Sequence, residues 1–235
     1  MMTIILNTHN RHGAFHRLLA SIPYREDVEL LVADTSTVRP VVPTYARLLA
    51  MDPATHPLLK INQAIEACQY DRFWLLCDDT ELLPESYEAA FRQIQQLTDD
   101  QLGIFCQQNV FPDHAMKTDG ICGTVAGNLI ATKEAFQKSG GWDGAFHWHH
   151  GDRDLRRRAV QKGLQNVVLP GVCVKHYFVH DVTRHSVDTF WKADTALFPS
   201  RWPDQQTELL ELCPVHHGKT SSETIHPLFS IAVTA

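Results

Sequence analysis

These 235 residues are 44% apolar and carry a formal net charge of -6, which is material for one large α/β domain or two halves sharing a sheet. The charge excludes a dedicated non-specific nucleic-acid surface, leaving only a local basic patch at Arg153 to Arg158, and favours a small anionic ligand. Six cysteines without a C-x-x-C fit buried free thiols in a reducing compartment. No apolar run reaches the roughly 18 residues of a membrane helix and MMTIIL has no basic flank, so neither a membrane span nor a signal peptide is expected and the cytoplasm is the default location.

Thr3 to Leu6 reads as a first strand, followed by the polar turn NTHNRHG and a helix whose Phe15, Leu18, Leu19 and Ile22 fall on one face. Val28 to Ala33 reads as a second strand ending in Asp34-Thr35-Ser36. A stretch punctuated by Pro40, Pro43, Pro53 and Pro57 leads to a helix from Leu58 to Cys68. Phe73 to Cys77 is then a buried strand, Glu85 to Leu97 a helix, and Leu102 to Gln107 and Thr124 to Thr132 further strands. Lys133 to Ser139 reads as a helix stopped by Gly140-Gly141, Asp152 to Lys162 as a helix closed by Gly163, and Asn166 to Val174 as a strand leading to His176. Beyond Tyr177 the pattern weakens to one amphipathic helix, Ser186 to Leu197.

The chemistry concentrates at RFWLLCDDTELLP, where a buried strand ends in Asp78 and Asp79. Open α/β sheets bind ligands at the carboxyl ends of their strands. Side chains alternate along an extended strand, so two neighbouring aspartates imply divided roles, one on a metal and one on ligand hydroxyls; the plain alternative is a solvated loop. Asp152 and Asp154 open a helix, where free N–H groups and the helix dipole favour ionised carboxylates; the alternative is a simple cap with Arg156 to Arg158 as a solvated face. HWHHGD raises a zinc site, against which His149 and His150 are adjacent rather than one helical turn apart. Trp142 and Trp148 are candidates for a flat ligand face or for the core.

Six segments in order resemble the family 2 inverting glycosyltransferases of GT-A fold. TIILNTHNR resembles that family's strand and PTYNR turn, with Asn7 and His9 as departures; VADTS resembles VVDNGS; INQAIEAC resembles N-x-A-I-x-x-A; and WLLCDDTELLP resembles the DXD segment. GTVAGNLIATKEAFQKSGGWDGAF resembles the acceptor-side segment ending GGFDE-x-F, and GDRDLRRRAVQKG resembles EDxDLxxRxxxxG, with Gly151 in place of Glu.

The resemblance implies an α/β GT-A fold, a Rossmann-like mixed sheet flanked by helices. It also implies a domain over 1–180, divided into a nucleotide-sugar half (1–110) and an acceptor and base half (111–180), with 181–235 as an extension packing on the core or framing the acceptor site. By the same resemblance Thr8, Asn10 and Arg11 line the nucleotide pocket, Asp34 binds base or ribose, Asp78 contacts ribose or sugar, Asp79 and His176 hold Mn²⁺ or Mg²⁺, and Asp152 is the general base. The implied donor is a nucleotide-sugar, UDP-linked by first expectation. The acceptor stays open between a glycan, a lipid-linked sugar, a protein and a modified nucleic-acid base. A nucleotidyltransferase or metal-dependent phosphohydrolase, and a non-catalytic nucleotide-sugar binder, are the competing classes; NTHNRHG is a poor version of the phosphate loop the first would need.

Overall fold

β1 (Met2–Thr8) is buried at every position, as an apolar strand must be when it is paired on both edges and covered on both faces. In the computed structural model, which describes residues 1–110, 116–117, 129–177, 189–203 and 229–231, it pairs in parallel with β2 (Val28–Asp34) and β4 (Arg72–Cys77). Beyond β2 lies β3 (Ala46–Ala50), also parallel. Beyond β4 lies β8 (Leu129–Thr132), antiparallel to it and to β6 (Gln101–Val110). β9 (Gln165–Tyr177) and β10 (Phe229–Ile231) complete the mixed sheet in the order β10-β9-β6-β8-β4-β1-β2-β3. Two short strands pair off this path, β5 (Thr80–Leu82) with β9 and β7 (Met116–Lys117) with β6, both antiparallel.

Alternation along the central strands divides the core in two. Ile4, Leu6, Trp74 and Leu76 face α1 (His12–Ala20) and α3 (Pro84–Ile94), meeting Phe15, Leu18, Tyr87 and Ile94. Ile5, Phe73 and Leu75 face the other way, onto Leu58 and Ile61 of α2 (Pro57–Ala67), Phe136 of α4 (Lys133–Ser139) and Leu155 of α5 (Gly151–Gln161). Each such side chain, fully buried, contributes about 1.5–3 kcal/mol of transfer free energy. Phe198 of α6 (Trp191–Arg201) joins this second cluster. No helix of the described residues is long and apolar enough to cross a membrane.

The order of the sheet opens a crevice at its centre. From β1 the chain runs through α1 to β2 and β3 on one side, then returns through α2 to β4 on the other. β1 and β4 are therefore neighbours from which the connections leave in opposite directions, and the crevice beyond their carboxyl ends is the expected ligand position.

Local signals set the helix ends. Pro57 and Pro84 start α2 and α3, where a missing N–H costs no helical bond. Thr132 caps α4 by accepting the Ala135 N–H, and Gly140 ends it at a φ of 91°. The cysteines at 68, 77, 106 and 173 are buried thiols outside any disulfide.

Two strands lie outside the expected elements, and one helix is corrected. The proline-punctuated stretch contains β3, a half-exposed edge strand whose Arg47 pairs with Glu29, so it lacks the buried run that marks a strand in sequence. β5 has three residues and exists only through its pairing with β9. The late helix runs Trp191–Arg201, continuing through Pro199, whose missing N–H costs one bond in the last turn. Residues 124–128 and 186–188 of the expected strand and helix lie outside the described residues.

Gly103 of β6 sits opposite Ile130 of β8, and a Cβ there would lie 2.9 Å from the Ile130 carbonyl oxygen and 2.9 Å from Leu169 Cδ1. A backbone oxygen inside a sheet cannot step aside cheaply. Gly103→Ala is expected to lower stability by about 1–3 kcal/mol, read as an earlier urea midpoint at unchanged m-value.

Candidate active site

The extended backbone of β4 stops at Cys77, and the turn that follows brings Asp78 and Asp79 to the same place. Arg11 Nη1 donates to Asp79 Oδ2 at 2.8 Å and lies 3.6 Å from Asp78 Oδ1. The two carboxylates thus converge on one guanidinium, which an extended backbone would forbid. Their other partners differ. Asp78 Oδ2 accepts from the Thr8 hydroxyl at 2.9 Å and from the His9 N–H at 3.2 Å, both at the end of β1. Asp79 Oδ2 is 3.4 Å from His176 Nε2, and β5 and β9 hold that histidine in place by pairing Thr80 with His176.

Both aspartates are buried. Burial raises the pKa of Asp78 and the adjacent Asp79 charge raises it further, against Arg11, Thr8 and His9. Burial acts the same way on Asp79, but His176 and Arg11 together outweigh it and its pKa falls. Two neighbouring carboxyls are therefore driven apart, and Asp79 is the one held as an anion.

This pair forms the floor of a cavity of about 420 Å³ whose polar side also includes Thr8, Arg11, Thr35 and Lys60. Lys60 is absent from the expected site residues. It lies on the inward face of α2, one turn before Ala64, and its Nζ donates to the Thr8 carbonyl at 2.9 Å and the Thr35 hydroxyl at 3.2 Å. Burial brings its pKa down to about 8, against the opposing attraction of Asp78, Cys77 and Asp34. A lysine at an i, i+4 spacing from inward apolar residues was the signal available in the sequence.

The far wall is aromatic. His147 and Phe190 stack with ring centroids 4.1 Å apart and 5° between planes, with Trp148 beside them and His56 5.6 Å from His147. Trp142 is a core residue, and Asn62 grips its backbone by donating to its carbonyl and accepting its N–H, each at 2.9 Å.

Of the remaining expected residues, Asn10, Asp34, Asp152 and His176 are not among those lining this cavity. Asn10 has a φ of 54°, a conformation Asn tolerates better than most residues. Its N–H donates to Ser36 Oγ at 2.7 Å and its Oδ1 accepts from the Thr37 N–H at 3.0 Å, tying the loops after β1 and β2 together. Asp34 is fully buried, with one oxygen accepting the Ser36 N–H and the other Arg39 Nη1, each at 2.9 Å; its neighbour Thr35 lines the cavity.

Asp152 sits in the first turn of α5, but the cap position belongs to His150, in left-handed conformation at φ 61° and without a side-chain cap bond. The helix start was expected to keep Asp152 ionised. Burial instead dominates over Arg156, Arg153 and the local N–H groups and raises its pKa. Gly151 packs against Leu58, since a Cβ there would lie 2.6 Å from Leu58 Cδ1. Any larger residue at 151 must displace that buried leucine.

The arginines after Asp152 do not form the solvated face anticipated for them. Arg156 and Arg157 are buried, and Arg158 donates to Asp154, Ser139 O and Gly141 O at 2.7–2.9 Å. Among the described residues there is no group of three or more His, Cys, Asp or Glu side chains that could hold an ion.

Lys60 sets a pH dependence. Between pH 8 and its ordinary 10.5 the unfolded chain keeps a proton that the folded chain has released, so this group makes unfolding harder as pH rises through that window. Wild type should gain stability relative to Lys60→Met across it, measured by urea midpoints at both ends.

No protein-family model matches the chain, and no curated protein does. Among solved structures it is similar to the crystal structure of GalNAc-T7 with UDP, GalNAc and Mn²⁺, with a TM-score of 0.61 and 10% identity over 89% of this chain and 52% of that one. This chain thus spans about half the length of that protein. At such identity the likeness speaks for the fold, and the fold is GT-A: a mixed α/β sheet flanked by helices with a cavity at the ends of its central strands.

Proposed function

We propose that the chain is a metal-dependent inverting glycosyltransferase that moves a sugar from a nucleoside-diphosphate sugar, UDP-linked in the first instance, to an acceptor hydroxyl. The observation that carries this reading is the buried Asp78-Asp79 pair at the switch point of the sheet, its members held in different ionisation by different partners. The neighbour solved with UDP, GalNAc and Mn²⁺ supports the same reading.

Asp79 and His176 would hold the ion, and the donor set fits. A carboxylate and an imidazole nitrogen 3.4 Å apart suit Mn²⁺, or Mg²⁺ less closely, provided phosphate oxygens and water complete the shell. Held by these two residues, such an ion would supply neutralisation of the charge developing on the leaving diphosphate. Arg11, now the cation on Asp79, is placed to follow that charge onto phosphate. Thr8 and the His9 N–H orient Asp78 toward ribose or sugar hydroxyls, and Asn10 holds the loop that carries them. Asp34 would meet the base or ribose by exchanging Arg39 for a ligand donor.

In the transfer step the acceptor oxygen bonds to the anomeric carbon as the bond to the diphosphate oxygen breaks, and Asp152 takes the acceptor's proton. Its raised pKa makes it a stronger base than an exposed aspartate. In this reading 1–110 is the nucleotide-sugar half, 111–180 the acceptor and base half, and 181–235 an extension. Glycan, lipid-linked sugar, protein and modified nucleic-acid base remain the acceptor classes to test.

Calorimetry of UDP with and without Mn²⁺ tests the floor of the site. Binding should require the ion and be lost in Asp79→Ala; equal binding in its absence would sink the metal assignment. A nucleotide-sugar panel then names the donor. Asp152→Asn should melt like wild type and still bind UDP with Mn²⁺, while transfer falls about 10²- to 10⁴-fold. Near-normal turnover, or a product retaining the donor's anomeric configuration, would remove Asp152 from the mechanism.

A further inference from the structure

α6 lies outside the segments that carry the family resemblance, yet one carboxylate of its first turn holds the backbone of two cavity-lining residues, His147 and Trp148. Asp194 is 1% exposed, and three successive backbone N–H groups converge on it. Oδ1 accepts from His147 at 3.0 Å, and Oδ2 accepts from Trp148 at 2.9 Å and from His149 at 2.8 Å. A run of N–H groups turned to one side makes an anion-binding concavity, and here it is filled by the protein's own side chain. The rings of the loop pack on the same element: His147 stacks on Phe190, His149 meets Trp191 edge-on at 4.6 Å, and His150 stacks on Phe198 at 5.1 Å. The rings of His147, His149 and His150 thus serve as packing surfaces.

The gripped loop matters at both ends. His147 and Trp148 are cavity wall, and the chain continues from His149 through His150 directly into α5 and Asp152. We propose that Asp194 is a positioning residue of the reaction: by gathering the N–H groups of 147–149 it sets the aromatic wall of the cavity and the start of α5, and hence the reach of Asp152. The inference rests on the glycosyltransferase reading. Thr8, Arg11, Asp78 and Asp79, at the ends of β1 and β4, hold the nucleotide end of the cavity, so Asp194 acts on the transferring end. Misplacement of a reacting group by about 1 Å can cost about 10²-fold in rate.

A merely structural anchor is available for comparison. Asp154 accepts from Trp202 Nε1 at 3.1 Å and Arg201 Nη1 at 3.0 Å, joining α5 to α6 without touching 147–149. The test uses the full chain as wild type, Asp194→Ala, Asp194→Asn and Trp202→Phe, all well below their melting temperatures. Hydrogen exchange at amides 147–149 is measured together with Mn²⁺-dependent UDP affinity and with kcat and KM for turnover of the UDP-sugar found active.

Asp194→Ala should expose those amides and lower kcat at least tenfold, with UDP affinity within about twofold of wild type. Asp194→Asn, which keeps one acceptor oxygen, should fall between. Trp202→Phe should melt earlier with both readouts unchanged. Amides as protected in Asp194→Ala as in wild type would overturn the proposal, as would unchanged kcat or an equal loss of turnover in Trp202→Phe. Wild type that neither binds UDP with Mn²⁺ nor turns over any nucleotide-sugar would overturn the glycosyltransferase reading and with it the role in transfer. Amide protection lost only on substituting Asp194 would still establish the clamp itself.

Discussion

Two carboxylates adjacent in sequence and both buried repel one another. At an effective dielectric near 20, unit charges 4 Å apart interact by about 4 kcal/mol. Arg11 is the condition under which Asp78 and Asp79 can share a site, because its guanidinium lies within 3.6 Å of both. That contact depends on the parallel pairing of β1 with β4, which brings the turn after Thr8 over the turn after Cys77. The central sheet, the loop after β1 and the acid pair are thus one construction. The same arrangement would let a divalent cation take over the charge that Arg11 balances.

Opposite this floor the protein builds a wall of another kind. The loop from Trp142 to His150 has no regular structure of its own and is held from two sides. Asn62 of α2 grips Trp142 through both backbone groups, and Asp194 of α6 gathers the N–H groups of 147–149. Asp154 then ties α5 to α6 through Arg201 and Trp202, while Arg153 and Arg157 lie over Phe198. Buried arginines are tolerable here because carboxylates, carbonyls and ring faces compensate their charge. Within the basic run after Asp152, Arg156 and Arg157 are therefore internal structure.

Much of this was legible in the residues. Apolar runs of the right length marked β1, β2 and β4, and acids stand at the ends of β2 and β4. Gly140 and Gly163 marked the ends of α4 and α5. Short edge elements were not legible, because β3 is half exposed and β5 is three residues held by a distant strand. Lys60 was not legible as a cavity residue, because a lysine inside a helix ordinarily reaches solvent; only the tertiary structure brings its Nζ to the Thr8 carbonyl and the Thr35 hydroxyl.

What the sequence determined by itself was local: which runs are strands or helices, where they stop, and that acids and histidines sit at their ends. Periodicity, caps and chain stiffness act over a few residues, so they can be read one segment at a time. What the tertiary structure decided was every property that depends on a partner far away in the chain. Asp78 and Asp79 acquired opposite shifts from Thr8, Arg11 and His176. Asp152, expected to be governed by its helix start, was governed by burial. The histidines of 147–150 became packing surfaces because α6 brought aromatic rings and one carboxylate to them. Desolvation and charge pairing depend on three-dimensional distance, and separation along the chain carries almost no information about that distance until the sheet order is known.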